Sequence, residues 1–495
     1  MVAPGTVSQR IDHLLAHVLD EAGGTTSPDA ETTWLEILTT WFGPDALELN
    51  SISSSQFAGW IQETLAEIDE LLEAQLQELL HASPLQKLES SWRGLAYLIE
   101  NVAQYRQIEV HALDVSWKEL ARDAQSTIVF DHTRIFKHIY ESEFGSPGGC
   151  PFGLLVGDFE ISHLPQQSVD TLSLVRQLTG TAAAAFAPLI LGVTPQMFGA
   201  DDIPSLERGI NLRQTFSQKE YLDWQSWCAS PDARFLGLAM PRFLIRPPYS
   251  RATTPGSEFL FTEHCSKPAD YLWCNAAFAL AAVVARSYGE TGWFDDFLGP
   301  VQDDERRGVL SNLPWLTHHS DPDWPLPPIE WVVPDPTAQE LAESGFTCLR
   351  HCKYTPDVMV QSAPNISAMT QHRSSIAMQT ELLDIQLYHI LAVSRFAHYI
   401  KRIARDLIGS ALSEDDVQAS IHTWLGAYTC ADPNPTPAER RKQPLKDAFV
   451  QVHKSESHPG TYLCRVEIQP HDLHQRLAVK FQLKSASHQP LSLGS

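Results

Sequence analysis

One stretch restricts the folding choices of this chain more than any other: residues 386–410, QLYHILAVSRFAHYIKRIARDLIGS. At about 100° per residue, Ile390, Val393, Ala397, Ile400, Ala404, Leu407 and Ile408 share an apolar arc of roughly 100°. Arg395, His398, Lys401, Arg402 and Arg405 share a neighbouring arc of roughly 120°. The spacing predicts one long helix with a core face and a basic stripe. The chain carries a formal net charge of −24, so the stripe runs against its surroundings. It reads either as a solvated face, with cations favoured near a helix C-terminus, or as a surface for an acidic partner.

The 495 residues allow about three domains. With 43% hydrophobic and 19% charged residues there is ample core material. The acidic balance argues against general nucleic-acid binding, which requires a basic surface. The eight cysteines are spread along the chain and form no CxxC pair. No basic-then-apolar signal pattern opens the sequence, and no apolar run reaches the roughly 18–20 residues of a membrane span. A reduced cytoplasmic protein without direct membrane insertion is expected.

Residues 1–55 read as an acidic helical arm, with amphipathic helices at 7–22 and 33–42. Residues 56–375 read as an α/β body. Helices are expected at 56–81, 84–102, from Trp117, at 130–142, 169–187, 219–229, 270–288 and 338–344. Strands are expected at 108–116, 152–161, 188–195, 233–249 (broken at Pro241 and Pro247) and 346–354, with an edge strand at 329–333 and a loop at 357–372. Residues 376–495 hold the opening helix, a second helix at 414–428 and a terminal β-hairpin. In that hairpin Leu477, Val479, Phe481 and Leu483 alternate. Strands alternating with helices make the class α/β with a mixed sheet.

Three constellations invite a chemical reading. Asp158, Glu160 and His163 follow an apolar strand, where α/β enzymes place catalytic groups; a metal or acid/base hydrolase is the alternative they raise. Cys348, His351 and Cys352, and separately His264 and Cys265, lack the spacing of a zinc knuckle and read as structural thiols. The loop GSPGGCPFG lacks the lysine of a phosphate loop and precedes its strand. No catalytic, cofactor or metal site is assigned. A binding or structural protein is the better reading.

Several longer segments carry a resemblance: LQKLESSWRGLAYLIENV (85–102), GLLVGDFEISH (153–163), AAAAFAPLI (182–190), PDARFLGLAMPRFLIRPPY (231–249), YLWCNAAFALAA (271–282), SRFAHYIKRIARDLIGS (394–410) and PLKDAFVQV (444–452). In order and character they resemble the TssC (VipB, ImpC) family, the large subunit of the type VI secretion contractile sheath. The family commonly has glycine where this chain has Cys274, read here as a tolerated change in a packed helix.

The resemblance implies a contractile tail-sheath-like fold and no enzymatic activity. It implies pairing with the small subunit TssB, a helical sheath around an Hcp tube, attachment to a baseplate, and disassembly by the ATPase ClpV. The whole would be part of a membrane-anchored machine. It also implies roles for residues. Arg395, Lys401, Arg402 and Arg405 would face Hcp. Tyr462, Cys464, Val466, Ile468, Leu477, Val479, Phe481 and Leu483 would lie in strands exchanged with TssB neighbours. Ile11, Leu14, Leu15, Val18 and Leu19 would form a ClpV-binding helix face.

Overall fold

A computed structural model describes residues 54–484, apart from 128, 147, 164–169, 210, 251–260, 295–296, 300–307, 312, 315, 319–320, 354, 368–384, 409–413, 431, 433–434, 437–438, 440–442, 455–460 and 471–476. The N-terminal helices at 7–22 and 33–42, with Ile11, Leu14, Leu15, Val18 and Leu19, lie outside the described residues. The chain divides into two units. One comprises Met1–Ala82 and Tyr249–His264, the other Ser83–Pro248 and Cys265–Ser495.

In the first unit, α1 (Ser54–Leu80) is a 27-residue helix. Its end is tied to the returning segment: Gln77 Nε2 donates to the His264 carbonyl (2.5 Å), and the His264 amide donates to Gln77 Oε1 (3.0 Å). The Tyr249 amide likewise donates to Glu263 (2.9 Å). Ile61, Leu65, Leu72 and Leu79, spaced for one helix face, remain exposed.

The second unit holds helices α2 (Ser83–Val102), α3 (Trp117–Gln125), α4 (Thr171–Ala185), α5 (Ala276–Thr291), α6 (Asp335–Glu343), α7 (Leu387–Ile408) and α8 (Glu414–Gly426). Between α3 and the first strand lies a nine-residue π-helix, Lys137–Gly145. The strands are β1 (Leu155–Ile161), β2 (Leu189–Val193), β3 (Leu236–Met240), β4 (Phe243–Arg246), β5 (Leu272–Cys274), β6 (Val309–Leu310), β7 (Leu316–His318), β8 (Asp321–Leu326), β9 (Phe346–His351), β10 (Val358–Val360), β11 (Leu445–Lys454), β12 (Thr461–Pro470) and β13 (Leu477–Lys484).

Local chemistry sets many of these boundaries. Ser116 and Glu119 form a capping box that starts α3. Asp170 caps α4 through the Ser173 amide (3.2 Å). Asn275 caps α5 through the Ala277 amide (2.9 Å), and Gly292 ends it at φ 71°, a left-handed position that suits glycine.

The central sheet runs β1-β2-β3-β9-β10-β6, with its first four strands parallel. Alternation splits its side chains between two faces. Leu189, Leu191 and Val193 enter one core, with Trp224, Trp227 and Phe346. Ile190 enters the other, with α5 and the start of α7. β4 pairs with β5, and β7 with β8. A third core joins the second half of α7, α8 and the antiparallel sheet β11-β12-β13. Helix α7 therefore belongs to two cores: Leu387, Tyr388 and Leu391 to the second, Val393, Phe396, Ala397 and Ile400 to the third.

Most expected elements are present, and several differ for identifiable reasons. Residues 108–116 form no strand. Val110 and Leu113 are exposed, and no described strand pairs with them. The helix expected from residue 270 starts at Ala276, because Leu272–Cys274 pairs with β4 instead. Cys274 thus sits in a strand, not in a helix. The expected loop at 357–372 contains β10, and at 329–333 only an isolated bridge forms, Ile329 to Phe243. The terminal hairpin is β12–β13, and β11 adds a third strand to it.

Helix α2 buries Gly94, Leu98 and Val102 and leaves Leu85, Leu88, Trp92 and Ile99 exposed. A Cβ on Gly94 would come within 2.6 Å of Phe278 Cδ2 and 2.7 Å of Cys274 Sγ. The glycine is what lets α2 approach α5 and β5. Gly94→Ala is expected to lose about 1–3 kcal/mol of stability through overpacking, measured as a lower urea midpoint at unchanged m-value.

Candidate assembly surfaces

Asp158 lies in the middle of β1, Glu160 near its C-terminal end and His163 just beyond it. The structure draws them to three sets of partners. Asp158 accepts from Ser91 Oγ and, at 3.4 Å, from Asn275 Nδ2; burial raises its pKa. Glu160 accepts two bonds from Arg242, Nε and Nη2 each at 2.7 Å, and Glu330 lies 3.9 Å from the same guanidinium. This bidentate fork is the strong geometry for an arginine–carboxylate pair. His163 donates through Nδ1 to the Gln196 carbonyl (2.7 Å) and its ring lies against Tyr221. A second pair, Glu89 with Arg246 (2.9 Å), ties α2 to β4. Sequence spacing gave no signal for these pairs, since Glu160 and Arg242 are 82 residues apart.

Of the cysteines read as structural, Cys348 is buried, while Cys265 and Cys352 are half-buried. Cys228, Cys274, Cys430 and Cys464 are buried as well. Burial pushes the Cys464 thiol up to about 11 and the Cys228 thiol up to about 12, which keeps them protonated and unreactive.

Helix α7 does not present its stripe uniformly. Ile390, Val393, Ala397 and Ile400 are buried as expected. Arg395 is half-buried and lies over Tyr399, 4.6 Å from the ring centroid, donating to the Tyr399 hydroxyl (2.9 Å) and the Tyr288 hydroxyl (3.1 Å). The Lys401 Nζ lies 3.4 Å from the Phe144 centroid and 4.6 Å from that of Tyr140. Arg402 is exposed. The Arg405 side chain lies outside the described residues.

His398 leaves the stripe altogether: it is buried, and its Nε2 donates to the Ala185 carbonyl at the end of α4 (2.9 Å). Burial, reinforced by the charges of Arg395 and Lys401, pulls its pKa from 6.5 down to about 4. The unfolded chain therefore takes up this proton first as pH falls. The residue's contribution is full above about pH 6.5, declines as pH falls from 6.5 towards 4 and is flat below. The span corresponds to about 3 kcal/mol. Urea midpoints between pH 4 and 8 are expected to show that decline, and His398→Gln is expected to reduce it.

At the C-terminus, β12 runs between β11 and β13, Val466 opposite both Val450 and Val479; its pairing with β13 is unbroken, and its pairing with β11 shifts once, between Leu445 and Asp447. Cys464, Val466 and Ile468 point into the third core. β13 is an edge of this sheet. The side chains of Tyr462, Leu477, Val479, Phe481 and Leu483 lie outside the described residues. No described helix is long and apolar enough to cross a membrane.

Asp158, Glu160 and His163 are each engaged by separate partners within the fold, while apolar helix faces and a strand edge point outward. Such surfaces define a class of protein that associates through its exterior. The sequence pattern of the VipB family, EvpB/VC_A0108 tail sheath N-terminal domain, matches residues 62–367. That of the EvpB/VC_A0108 tail sheath gpW/gp25-like domain matches residues 376–487. The chain belongs to the EvpB/VC_A0108 tail sheath family. The type VI secretion system sheath protein TssC1 of Pseudomonas aeruginosa is 33% identical over 448 residues, covering 89% of this chain and 88% of that protein. Solved sheath tail proteins from Desulfitobacterium hafniense and Listeria innocua align with TM-scores of 0.30, at 9% and 10% identity, over 64% of this chain and 60% of theirs.

Proposed function

We propose that this chain is the large structural subunit of a type VI secretion contractile sheath. The observation that carries the reading is the succession of two tail-sheath patterns, 62–367 and 376–487, supported by the TssC1 relative across 89% of the chain. The subunit works by assembly and contraction in the cytoplasm, not by turnover of a substrate. It associates with other sheath subunits and a baseplate. More finely, it pairs with TssB, encloses an Hcp tube and is disassembled by ClpV acting on the helix that includes Ile11, Leu14, Leu15, Val18 and Leu19. Residues 1–55 form the arm, 56–375 the body, and 376–495 the tube-facing helix with the exchanged strands.

Strand exchange through β12 and β13 would extend a sheet whose edge already lies in β13. The basic face of α7 would meet the tube. In this function energy is stored in subunit contacts that have two discrete arrangements. Co-production with a TssB-type small subunit tests the reading. Copurification and hollow tubules by negative-stain electron microscopy are expected. A chain that never associates with such a partner would refute it.

A further inference from the structure

We propose that the π-helix Lys137–Gly145 is a socket that sets the position of α7, with Arg395 and Lys401 as positioning cations, and that Arg402 is a cation α7 offers to a partner. The socket is read from this chain alone; only the partner step rests on the sheath reading.

A π-helix of nine residues is uncommon, since most are single-turn bulges. Here two serine side chains reinforce its wide turn. Ser142 Oγ donates to the Lys137 carbonyl (3.1 Å) and Ser146 Oγ to the Glu141 carbonyl (2.6 Å), both five residues back, the π spacing. The Cys150 amide donates to Glu143 Oε2 (3.0 Å) and ties down the following loop. The result is a ladder of rings. Phe136 stacks on Tyr140 at 4.8 Å, and Tyr140 meets Phe144 at 5.4 Å.

Helix α7 engages this ladder at two places. His398 meets the Phe144 ring at 5.2 Å. Lys401 sits over both Phe144 and Tyr140 and donates to the Tyr140 hydroxyl (3.3 Å). Arg395 fixes the helix from the other direction through Tyr288 of α5. A cation held against aromatic faces is stabilised by the ring quadrupole and is less available to an outside anion. Arg402, exposed, makes no such contact among the described residues. Among the described side chains, the stripe read from the sequence thus divides into two seating cations, Arg395 and Lys401, and one outward cation, Arg402.

Hydrogen–deuterium exchange across α7 in the full-length chain, together with assembly measured against salt, tests this. Lys401→Met and deletion of Ser142, which shortens the π turn, are each expected to raise exchange in α7 by roughly five- to tenfold. Lys401→Arg, which keeps the cation, is expected to restore most of the protection. Arg402→Glu is expected to leave α7 exchange at the wild-type level while weakening assembly on an Hcp tube, most strongly at low salt. Unchanged exchange in Lys401→Met would overturn the socket. So would loss of assembly in that variant with exchange unchanged, because Lys401 would then face the partner. An Arg402→Glu chain that assembles normally at every salt concentration would overturn the assignment of Arg402. Failure of the wild-type chain to assemble with any partner would instead count against the sheath reading, and the exchange results would still decide the socket.

Discussion

Phe396→Ala is expected to cost about 3–5 kcal/mol, the range for truncating a buried phenylalanine. Phe396 is fully buried on α7. Trp293 lies 4.4 Å from its ring centroid, Tyr428 5.8 Å and Trp424 5.9 Å. These rings come from the turn just after α5 and from α8 and its following turn. The cavity would open where α7, α8 and the C-terminal sheet meet. Large rings around the site cannot collapse into it without leaving their own contacts, which places the cost towards the upper end. Urea unfolding of the C-terminal region, followed by tryptophan fluorescence, checks this. Phe396→Leu, which retains most of the volume, is expected to lose markedly less.

Removal of residues 461–495 is expected to give an insoluble chain. The cut takes away β12, the central strand of its sheet, and with it Cys464, Val466 and Ile468. Val450 and Val452 on β11 would then be exposed, beside Ile421 and Leu425 of α8. Burial at roughly 25 cal/mol per Å2 of apolar surface makes the loss of three core side chains worth several kcal/mol, and the bare β11 edge invites aggregation. Removal of 477–495 is the contrasting variant. It deletes β13 and leaves β12 paired to β11. That chain is expected to stay soluble with its small-subunit partner yet fail to propagate into tubules. Comparing soluble yield, gel filtration and electron microscopy for the two truncations separates a core role for β12 from an exchange role for β13. Normal tubules without β13 would contradict the exchange.

The sequence made the regular elements plain and left their neighbours hidden, for one physical reason. Periodicity reports the angle of a side chain about its own helix or strand. That was enough for α7, where Ile390, Val393, Ala397 and Ile400 of the apolar arc are buried, and for β2, whose continuous apolar run is a strand with both faces covered. It was not enough for the basic stripe. Lys401 and Arg402 are adjacent in sequence, yet Lys401 meets rings more than 250 residues away while Arg402 faces outward. His398 shares their arc but meets the end of α4 and becomes buried. The strand expected at 108–116 shows the reverse: an extended apolar pattern, but no strand beside it among the described residues. The pairing of Glu160 with Arg242 likewise depends on parallel strands brought together by the fold. Resemblance carried what periodicity could not, because the family's long segments span elements whose contacts are not local.

The most direct measurement is an electron cryo-microscopy map of this chain polymerised with its small subunit around a tube. The expected result is a helical sheath in which α7 lines the bore, Arg402 lies within reach of acidic groups on the tube, and Lys401 remains over Tyr140 and Phe144. A polymer with α7 buried between sheath subunits, away from the bore, would contradict the tube-facing assignment. A chain that forms no polymer with that partner under any condition would contradict the sheath function itself.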